Sequence, residues 1–235
     1  MVNVDSISEV IRTCWETLPD REPLEHEFAL VEKDDLCITN EMYKCPGLRK
    51  IHLEVAKTGK LDILHCVFFP DPAYNLPIFG CDIVATPSVI TAAIVDVSPV
   101  RGVKRIYDEI SKVSNRYIFS DKRPLPLWGD EVFSPFCKFL RIKSDMEGEH
   151  YYEILMEYLM IFCRNVNNTV RDDNWVKEML RLDDQIWYCK QQKTNKKLIA
   201  VLSNWFDKEW AEYYIDTILF DEPNARNKMV STSST

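Results

Sequence analysis

The spacing of hydrophobic residues divides the chain into helical ends and a strand-rich centre. Ile7, Val10 and Ile11 recur at the interval of a one-sided helix. Asp5 is expected to cap that helix. Over residues 27–98 the period falls toward two, which is typical of β-strands, and the short loops between the apolar runs predict an antiparallel meander. The predicted strands span residues 27–32, 35–44, 48–57, 61–69, 78–85 and 90–97.

The second half of the chain returns to helical spacing. A helix is predicted near residues 103–115 and a last strand near 137–142. Two further apolar stripes begin at Tyr151 and at Trp175, and Asp207 begins a terminal helix. Helices before and after one run of strands predict an α/β/α three-layer sandwich, with a central, mainly antiparallel sheet and helices on both faces.

Length and composition favour one domain. A chain of 235 residues with 46% hydrophobic content can close around a single core, so we expect residues 1–222 to form one domain. The polar stretch 223–235 is expected to be a disordered tail.

Charge and cysteine usage narrow the function classes. The net charge of −8 disfavours nucleic-acid binding, which needs clustered positive charge. We find neither a leader segment nor an apolar run of the roughly 20 residues that a membrane span needs, and we expect a monomeric, cytoplasmic protein. Eight cysteines without a CxxC pair predict buried free thiols rather than disulfides or a metal cluster.

The segment RKIHLEVAKTGKLDILHCVFFP places ionisable residues on one face of a hairpin. If Thr58 and Gly59 form a two-residue turn, His52 lies opposite His65. Side chains of one parity share a face of the sheet, so Glu54 projects to the same side as both histidines. Three ionisable groups are therefore expected to converge.

The next hairpin adds a fourth group to this face. A symmetric register around the loop PDPAYNLP sets Asp82 opposite His65 and Gly80 opposite Val67. A slip of one residue would turn Asp82 to the other face. Gly80, which lacks a side chain, is expected to leave room for a flat ligand against the sheet.

Burying such a cluster without a task is costly. The free-energy cost of desolvating these ionisable groups is on the order of several kcal/mol, which favours a functional role over a structural one. A proton-handling site is one interpretation. Because two histidines and a carboxylate also resemble the facial triad that holds non-haem iron, with Glu54 or Asp82 as third ligand, a metal site is the other.

Several blocks of the chain resemble the ferredoxin-dependent bilin reductases. LRKIHLEVAKTGKLDILHCVFFPDPAYNLPIFGCDIVATPSVITAAIVDVSP resembles the central sheet of that family. RPLPLWGDEVFSPFCKFLRI, QIWYCKQQKTNKKLIAVL and FDKEWAEYYIDTILFDEP resemble its later blocks in order and spacing. The resemblance runs from about residue 5 to Pro223 and includes the polar positions.

The resemblance implies an activity and a set of catalytic residues. Members hold biliverdin IXα between the sheet and the C-terminal helices and reduce it with single electrons from reduced [2Fe–2S] ferredoxin, without a bound cofactor or metal. The substrate carries the radical, and the implied product is phycocyanobilin. Glu54, His65 and Asp82 correspond to the proton-handling residues, with His52 as a supporting neighbour that we group with the substrate-binding residues. Glu54 would serve the D-ring vinyl group, and His65 with Asp82 the pyrrole and lactam region and the later A-ring reduction.

The same resemblance implies how the two propionates of biliverdin are bound. Arg123, Lys197 and the hydroxyl of Thr91 are the implied partners, and Asn195, in the same loop as Lys197, is expected to line the pocket. Arg123 can hold a carboxylate through two parallel hydrogen bonds, whereas Lys197 offers a point charge.

An acidic ferredoxin needs a basic surface on a protein of net negative charge. Four lysines fall within one short segment beside the expected pocket, namely Lys190, Lys193, Lys196 and Lys197. We expect part of this cluster to steer docking. A cluster that only keeps the protein in solution is the alternative. For the whole protein, the alternatives are another bilin product such as phycoerythrobilin, and a non-catalytic bilin carrier.

Overall fold

The computed structural model describes residues 2–223, in which eight strands form one antiparallel sheet. The strands are β1 (Glu22–Pro23), β2 (Leu30–Lys33), β3 (Leu36–Cys45), β4 (Leu48–Lys57), β5 (Asp62–Pro70), β6 (Ile78–Thr86), β7 (Val89–Ser98) and β8 (Lys138–Leu140). Their order across the sheet is β1-β3-β4-β5-β6-β7-β8, and β2 also pairs with β3. The predicted meander is therefore confirmed from β3 to β7.

Helices cover both faces of this sheet. They are α1 (Val4–Trp15), α2 (Arg105–Ser114), α3 (Gly129–Val132), α4 (Asp145–Asn168), α5 (Trp175–Lys193), α6 (Lys196–Trp205) and α7 (Lys208–Tyr214), followed by a π-helix (Ile215–Leu219). Helices α1, α2 and α4 pack on one face, and α5, α6, α7 and the π-helix pack on the other. The predicted α/β/α sandwich with an antiparallel sheet is confirmed.

Strand β5 shows how alternation divides its side chains between the two layers. Leu64, Cys66 and Phe68 belong to the core under α1 and α4, while Val67 and Phe69 belong to the core under α5 and α7. Because both faces are covered, the strand reads as a nearly continuous apolar run rather than a strict alternation.

The predicted register between β4 and β5 was wrong. Glu54, not His52, lies opposite His65, and His52 lies opposite Val67. The connection is a four-residue loop between Lys57 and Asp62 rather than a two-residue turn. Thr58 closes that loop, since its hydroxyl accepts hydrogen bonds from the backbone amides of residues 60 and 61 at 3.2 and 2.9 Å. A shift of two residues keeps the parity, so the expected side chains still share one face.

Helical details differ from the prediction at three places. Asn3, rather than Asp5, caps α1 through a capping box with Ser6. Helix α6 lies where we expected a loop, so Lys197 is helical. The apolar stripe of α5 is buried only in part, because Trp175 is 72% exposed.

Two further sequence predictions concern thiols and membranes. All eight cysteines are free, and five of them are buried while Cys37, Cys45 and Cys137 are half-buried. Between residues 2 and 223, no helix is both long enough and apolar enough to cross a bilayer. The expected tail at 223–235 lies, apart from Pro223, outside the described residues.

Candidate active site

A cavity of about 250 Å³ opens between the sheet and the C-terminal helices. Its floor is the face of β4 to β7 that carries the predicted polar cluster. Its walls are mainly apolar and aromatic, including Trp128, Phe139, Leu202, Trp205 and Phe220. An apolar cleft with a few convergent polar groups is the usual form of a site for a small organic ligand.

His65 and Asp82 form a pair on the cavity floor. They lie directly opposite each other on β5 and β6, as predicted, and His65 Nδ1 is 2.6 Å from Asp82 Oδ1. The Asp82 side chain is 50% exposed, whereas that of His65 is 11% exposed, so the carboxyl group meets the cavity and the imidazole supports it. His65 Nε2 is buried without a hydrogen-bond partner in the described residues, and the Phe220 ring lies 5.3 Å from the imidazole.

Glu54 is a buried acid in the same cavity wall. The only hydrogen bond to its side chain in the described residues comes from the hydroxyl of Tyr214, which donates to Oε2. Burial raises the pKa of Glu54, and the nearby Asp82 adds to the rise, while His65 and the Tyr214 hydrogen bond oppose it. A carboxyl group in this environment holds its proton more strongly than an exposed one and can act as an acid.

His52, which was predicted to bind substrate, lies behind the cavity rather than in its wall. The side chain is fully buried, and Nε2 is 2.8 Å from Asn40 Oδ1. Burial, with smaller contributions from Lys50 and His65, lowers the pKa of His52 well below its ordinary value, so the ring is neutral. Its ring centre is 5.6 Å from that of His65, which makes His52 a supporting neighbour of the pair.

The iron alternative has no geometric basis in residues 2–223, where no group of three or more histidine, cysteine, aspartate or glutamate side chains is arranged to hold a metal ion. His52 presents Nε2 to Asn40, and Asp82 directs an oxygen to His65 rather than to a shared point.

Arg123 lines the cavity and is held by the sheet edge. Its Nη1 donates to the carbonyl oxygen of Thr91 at 2.6 Å, and the guanidinium lies 5.3 Å from the Phe139 ring centre. Thr91 is the extra residue of a β-bulge opposite β6, and its own hydroxyl donates to Val84 O at 3.0 Å. The Thr91 side chain therefore does not line the cavity, and the residue positions Arg123 through its backbone.

Asn195 and Lys197 line the cavity from the start of α6. Asn195 caps this helix, because its side chain accepts from the amides of Lys197 and Leu198 at 3.1 and 3.4 Å. Lys197 follows in the first helical turn with an exposed side chain. Lys197 and Arg123 together give the mouth of the cavity a positive edge.

The roof of the cavity is anchored at the end of the π-helix. Arg49 Nη1 binds Asp221 Oδ2 at 2.7 Å, and the buried Lys50 binds the other oxygen of Asp221. This anchor fixes Phe220 over His65. Tyr214, at the other end of the π-helix, contacts Glu54.

Sequence reasoning missed Asn40, Tyr214 and Phe220 as members of the site. Tyr214 lies on the terminal helix that was predicted to begin at Asp207, but periodicity does not identify a partner on another element. The space over Gly80 is also not free for a ligand, because a Cβ at this position would lie 3.3 Å from the hydroxyl of Tyr188. Gly80 makes room for Tyr188 instead.

Comparison with known proteins assigns the family. A family model described as ferredoxin-dependent bilin reductase matches residues 5–221. This chain belongs to the ferredoxin-dependent bilin reductases. The phycocyanobilin:ferredoxin oxidoreductase of Synechococcus sp. (strain CC9902) is 41% identical to this bilin reductase over 232 residues, which cover 94% of this chain and 93% of that protein. The enzyme of the same name from Gloeobacter violaceus is 37% identical over 233 residues, which cover 94% and 90%.

A solved structure agrees in fold with this bilin reductase. Phytochromobilin synthase from tomato, in complex with biliverdin, superposes with a TM-score of 0.76 over 94% of this chain and 84% of that chain. The identity is 16%, so this likeness concerns the fold. The chain is thus a bilin oxidoreductase that takes its electrons from ferredoxin, as its sequence predicted.

Proposed function

We propose that this bilin reductase converts biliverdin IXα to phycocyanobilin by proton-coupled single-electron steps through substrate radicals. The observation that carries the proposal is the convergence of Glu54, His65 and Asp82 on one wall of an otherwise apolar cavity. The names of the similar enzymes, and the biliverdin bound to the tomato protein, support the choice of substrate and product.

The three groups suit the chemistry of a reduced tetrapyrrole. An extended bilin that gains an electron becomes strongly basic, and a positioned acid in a site without water can complete the reduction. Asp82, half-exposed on the cavity floor, would contact the pyrrole and lactam groups, with His65 sharing its proton. Glu54, farther along the sheet and buried, would protonate the D-ring vinyl group.

Positive charge at the mouth suits the two propionates. Arg123 and Lys197 lie on the cavity edge and can bind carboxylates that point toward solvent. The apolar walls would then contact the rings, and Asn195 would add a neutral hydrogen-bond donor.

An anaerobic assay tests the proposal. Purified protein, biliverdin IXα, reduced ferredoxin and an electron source should give transient radical absorption and then phycocyanobilin, identified by chromatography against standards. Accumulation of phycoerythrobilin instead would show that the proposed product is wrong. Tight binding of biliverdin without bleaching would show a carrier and contradict the proposed activity.

The ion pairs in the lysine cluster distinguish the lysines that are available to bind ferredoxin. Lys193 forms ion pairs with Asp216 and Glu222, so its charge is balanced. Lys190 and Lys196 are exposed and form no ion pair with residues 2–223. We therefore infer that these two lysines, together with Lys197, attract an acidic ferredoxin.

Charge reversal checks this inference. The double variant Lys190→Glu/Lys196→Glu should lower the second-order rate of electron delivery at low salt by about tenfold and flatten its salt dependence. Lys112→Glu, an exposed lysine on α2 in the opposite helical layer, is the matched control. Equal rates for both variants would remove the cluster from the docking surface.

A further inference from the structure

Glu54 is linked to a chain of buried polar side chains that ends at His52. Asn40 lies opposite Glu54 in the β3–β4 pair, and Tyr214 reaches the same point from the end of α7. Asn40 is 6% exposed and Tyr214 is completely buried. No water has to be invoked, because each of these groups is within hydrogen-bond distance of the next.

The backbone of Phe28 determines the orientation of the Asn40 amide. Its carbonyl oxygen only accepts hydrogen bonds, and it lies 2.7 Å from the Asn40 side chain, so the atom facing it is Nδ2. Oδ1 then faces His52 Nε2 at 2.8 Å and accepts the proton carried there. The second hydrogen of Nδ2 points to Tyr214 Oη at 2.9 Å.

This arrangement assigns the single proton of Tyr214. Its oxygen accepts a hydrogen bond from Asn40 Nδ2 at 2.9 Å, and Asn40 Oδ1, which lies 3.0 Å from the same oxygen, already accepts from His52. Glu54 Oε2 is nearer to the hydroxyl and has no other donor among residues 2–223, so the Tyr214 proton goes to Oε2 rather than to Asn40 Oδ1. Oε2 is therefore an accepting oxygen, while Oε1 has no partner among residues 2–223.

We propose that Tyr214, oriented by Asn40, is a positioning residue that keeps the acidic proton of Glu54 on Oε1, the oxygen left for the substrate. The inference rests on the proposed role of Glu54 as proton donor. In the step itself the O–H bond at Oε1 breaks and a C–H bond forms on the vinyl group of the bilin radical anion, whose extra electron came from ferredoxin. Glu54 becomes a carboxylate that Tyr214 continues to stabilise.

Other charged groups around Glu54 are kept constant by the test. His52 lies on the same strand, His65 and Asp82 lie on the next two strands, and Arg123 and Lys197 stand across the cavity. None of them is altered when the Tyr214 hydroxyl is removed. The hydrogen bond from Tyr214 lowers the pKa of Glu54, so its loss should raise that pKa.

The experiment compares Tyr214→Phe with Tyr158→Phe in the full chain. Tyr158 is also fully buried, but it lies in the opposite layer and donates to Phe136 O at 2.9 Å. Infrared difference spectra without substrate would follow the C=O band of protonated Glu54, assigned by its absence in Glu54→Gln. Tyr214→Phe should move this band to higher wavenumber and its titration midpoint to higher pH, while Tyr158→Phe should leave both unchanged.

Turnover provides the second measurement. Tyr214→Phe should slow D-ring vinyl reduction by about tenfold, the effect of one hydrogen bond to a group that becomes charged. If the variant fails to fold, Asn40→Leu should shift the band in the same direction by less, because the phenol oxygen is then free to accept from Glu54.

An unchanged band and midpoint in Tyr214→Phe would overturn the proposal. If the band shifts and vinyl reduction is unchanged in both Tyr214→Phe and Glu54→Gln, the proton position is supported and the proposed donor role of Glu54 fails instead.

Discussion

The two faces of the sheet are built by the same strands and yet differ in almost every physical respect. Toward α1 and α4, residues such as Leu53, Cys66 and Phe68 form a continuous apolar core. Toward α5 and α7, their immediate neighbours Glu54, His65 and Val67 form a surface that is partly polar and partly open. One face is packed for stability, and the other keeps ionisable groups away from water at a cost in stability.

This difference shows how one sheet can combine a stable core with a cluster of ionisable groups. Alternation along a strand places adjacent residues on opposite faces, so a reactive group and a core residue can be neighbours in sequence without sharing an environment. The apolar face supplies the stability that the polar face lacks. Substitutions on the two faces should therefore have separable effects.

The largest effect is expected on the apolar face. Phe68 is fully buried and its ring packs against those of Trp15, Phe79 and Phe162. Phe68→Ala should lower the free energy of unfolding by about 3–5 kcal/mol through lost burial and a cavity. Chemical denaturation measures this, with the 84%-exposed Ile118 changed to alanine as a control that alters stability by less than about 0.5 kcal/mol. A loss near zero for Phe68→Ala would contradict the division between the faces.

An effect of nearly equal free energy, on the reaction barrier instead of on stability, is expected at Asp82. Asp82→Asn keeps the shape of the side chain and removes its ability to transfer a proton. The rate of bilin reduction should fall by about 100-fold, equivalent to about 2.7 kcal/mol in the barrier. Biliverdin affinity and melting temperature should stay near those of the parent. Single-turnover spectra measure the rate, and an unchanged rate would remove Asp82 from the chemistry.

The smallest effect is expected at Glu54, where a substitution should stabilise the protein. The pKa of Glu54 is raised in the folded protein. Above the unfolded-state pKa of about 4.3, folding therefore takes up a proton. The free energy of unfolding falls as pH rises from that value to the pKa of the folded state. Glu54→Gln removes this penalty. The variant should be more stable than the parent at pH 8 and equally stable at pH 4.

Denaturation at the two pH values checks this prediction, and the acidic measurement serves as the control. Equal stability at both values would mean that burial of Glu54 has no measurable cost. A gain at both values would point to improved packing by glutamine rather than to the proton.

The sequence predicted the sheet well and the site contacts less well. Strands β3 to β7 were located within a few residues because both core faces impose a regular apolar pattern. The pairing of His65 with Asp82 followed from the symmetry of the loop between β5 and β6. The pairing of Glu54 was wrong by two residues because the Thr58 loop is longer than the tight turn that its sequence suggested.

The sequence patterns did not predict the contacts between the layers. Helix α6 was missed because its lysine-rich start looked like a loop, although Asn195 followed by Leu198, Ile199 and Leu202 is a capped helical pattern. The contact of Tyr214 with Glu54 joins residues that are 160 positions apart. Periodicity shows which side of a helix faces inward, but it does not show which strand lies beneath.

That long separation has a consequence for how the enzyme is made. During synthesis the sheet that carries Glu54, His65 and Asp82 emerges well before α7 and the π-helix, which cover the cavity. Until those later residues pack and Asp221 binds Lys50 and Arg49, Glu54 lacks the cover that buries it and raises its pKa. The raised pKa of Glu54 therefore depends on a helix that lies 160 positions later in the chain.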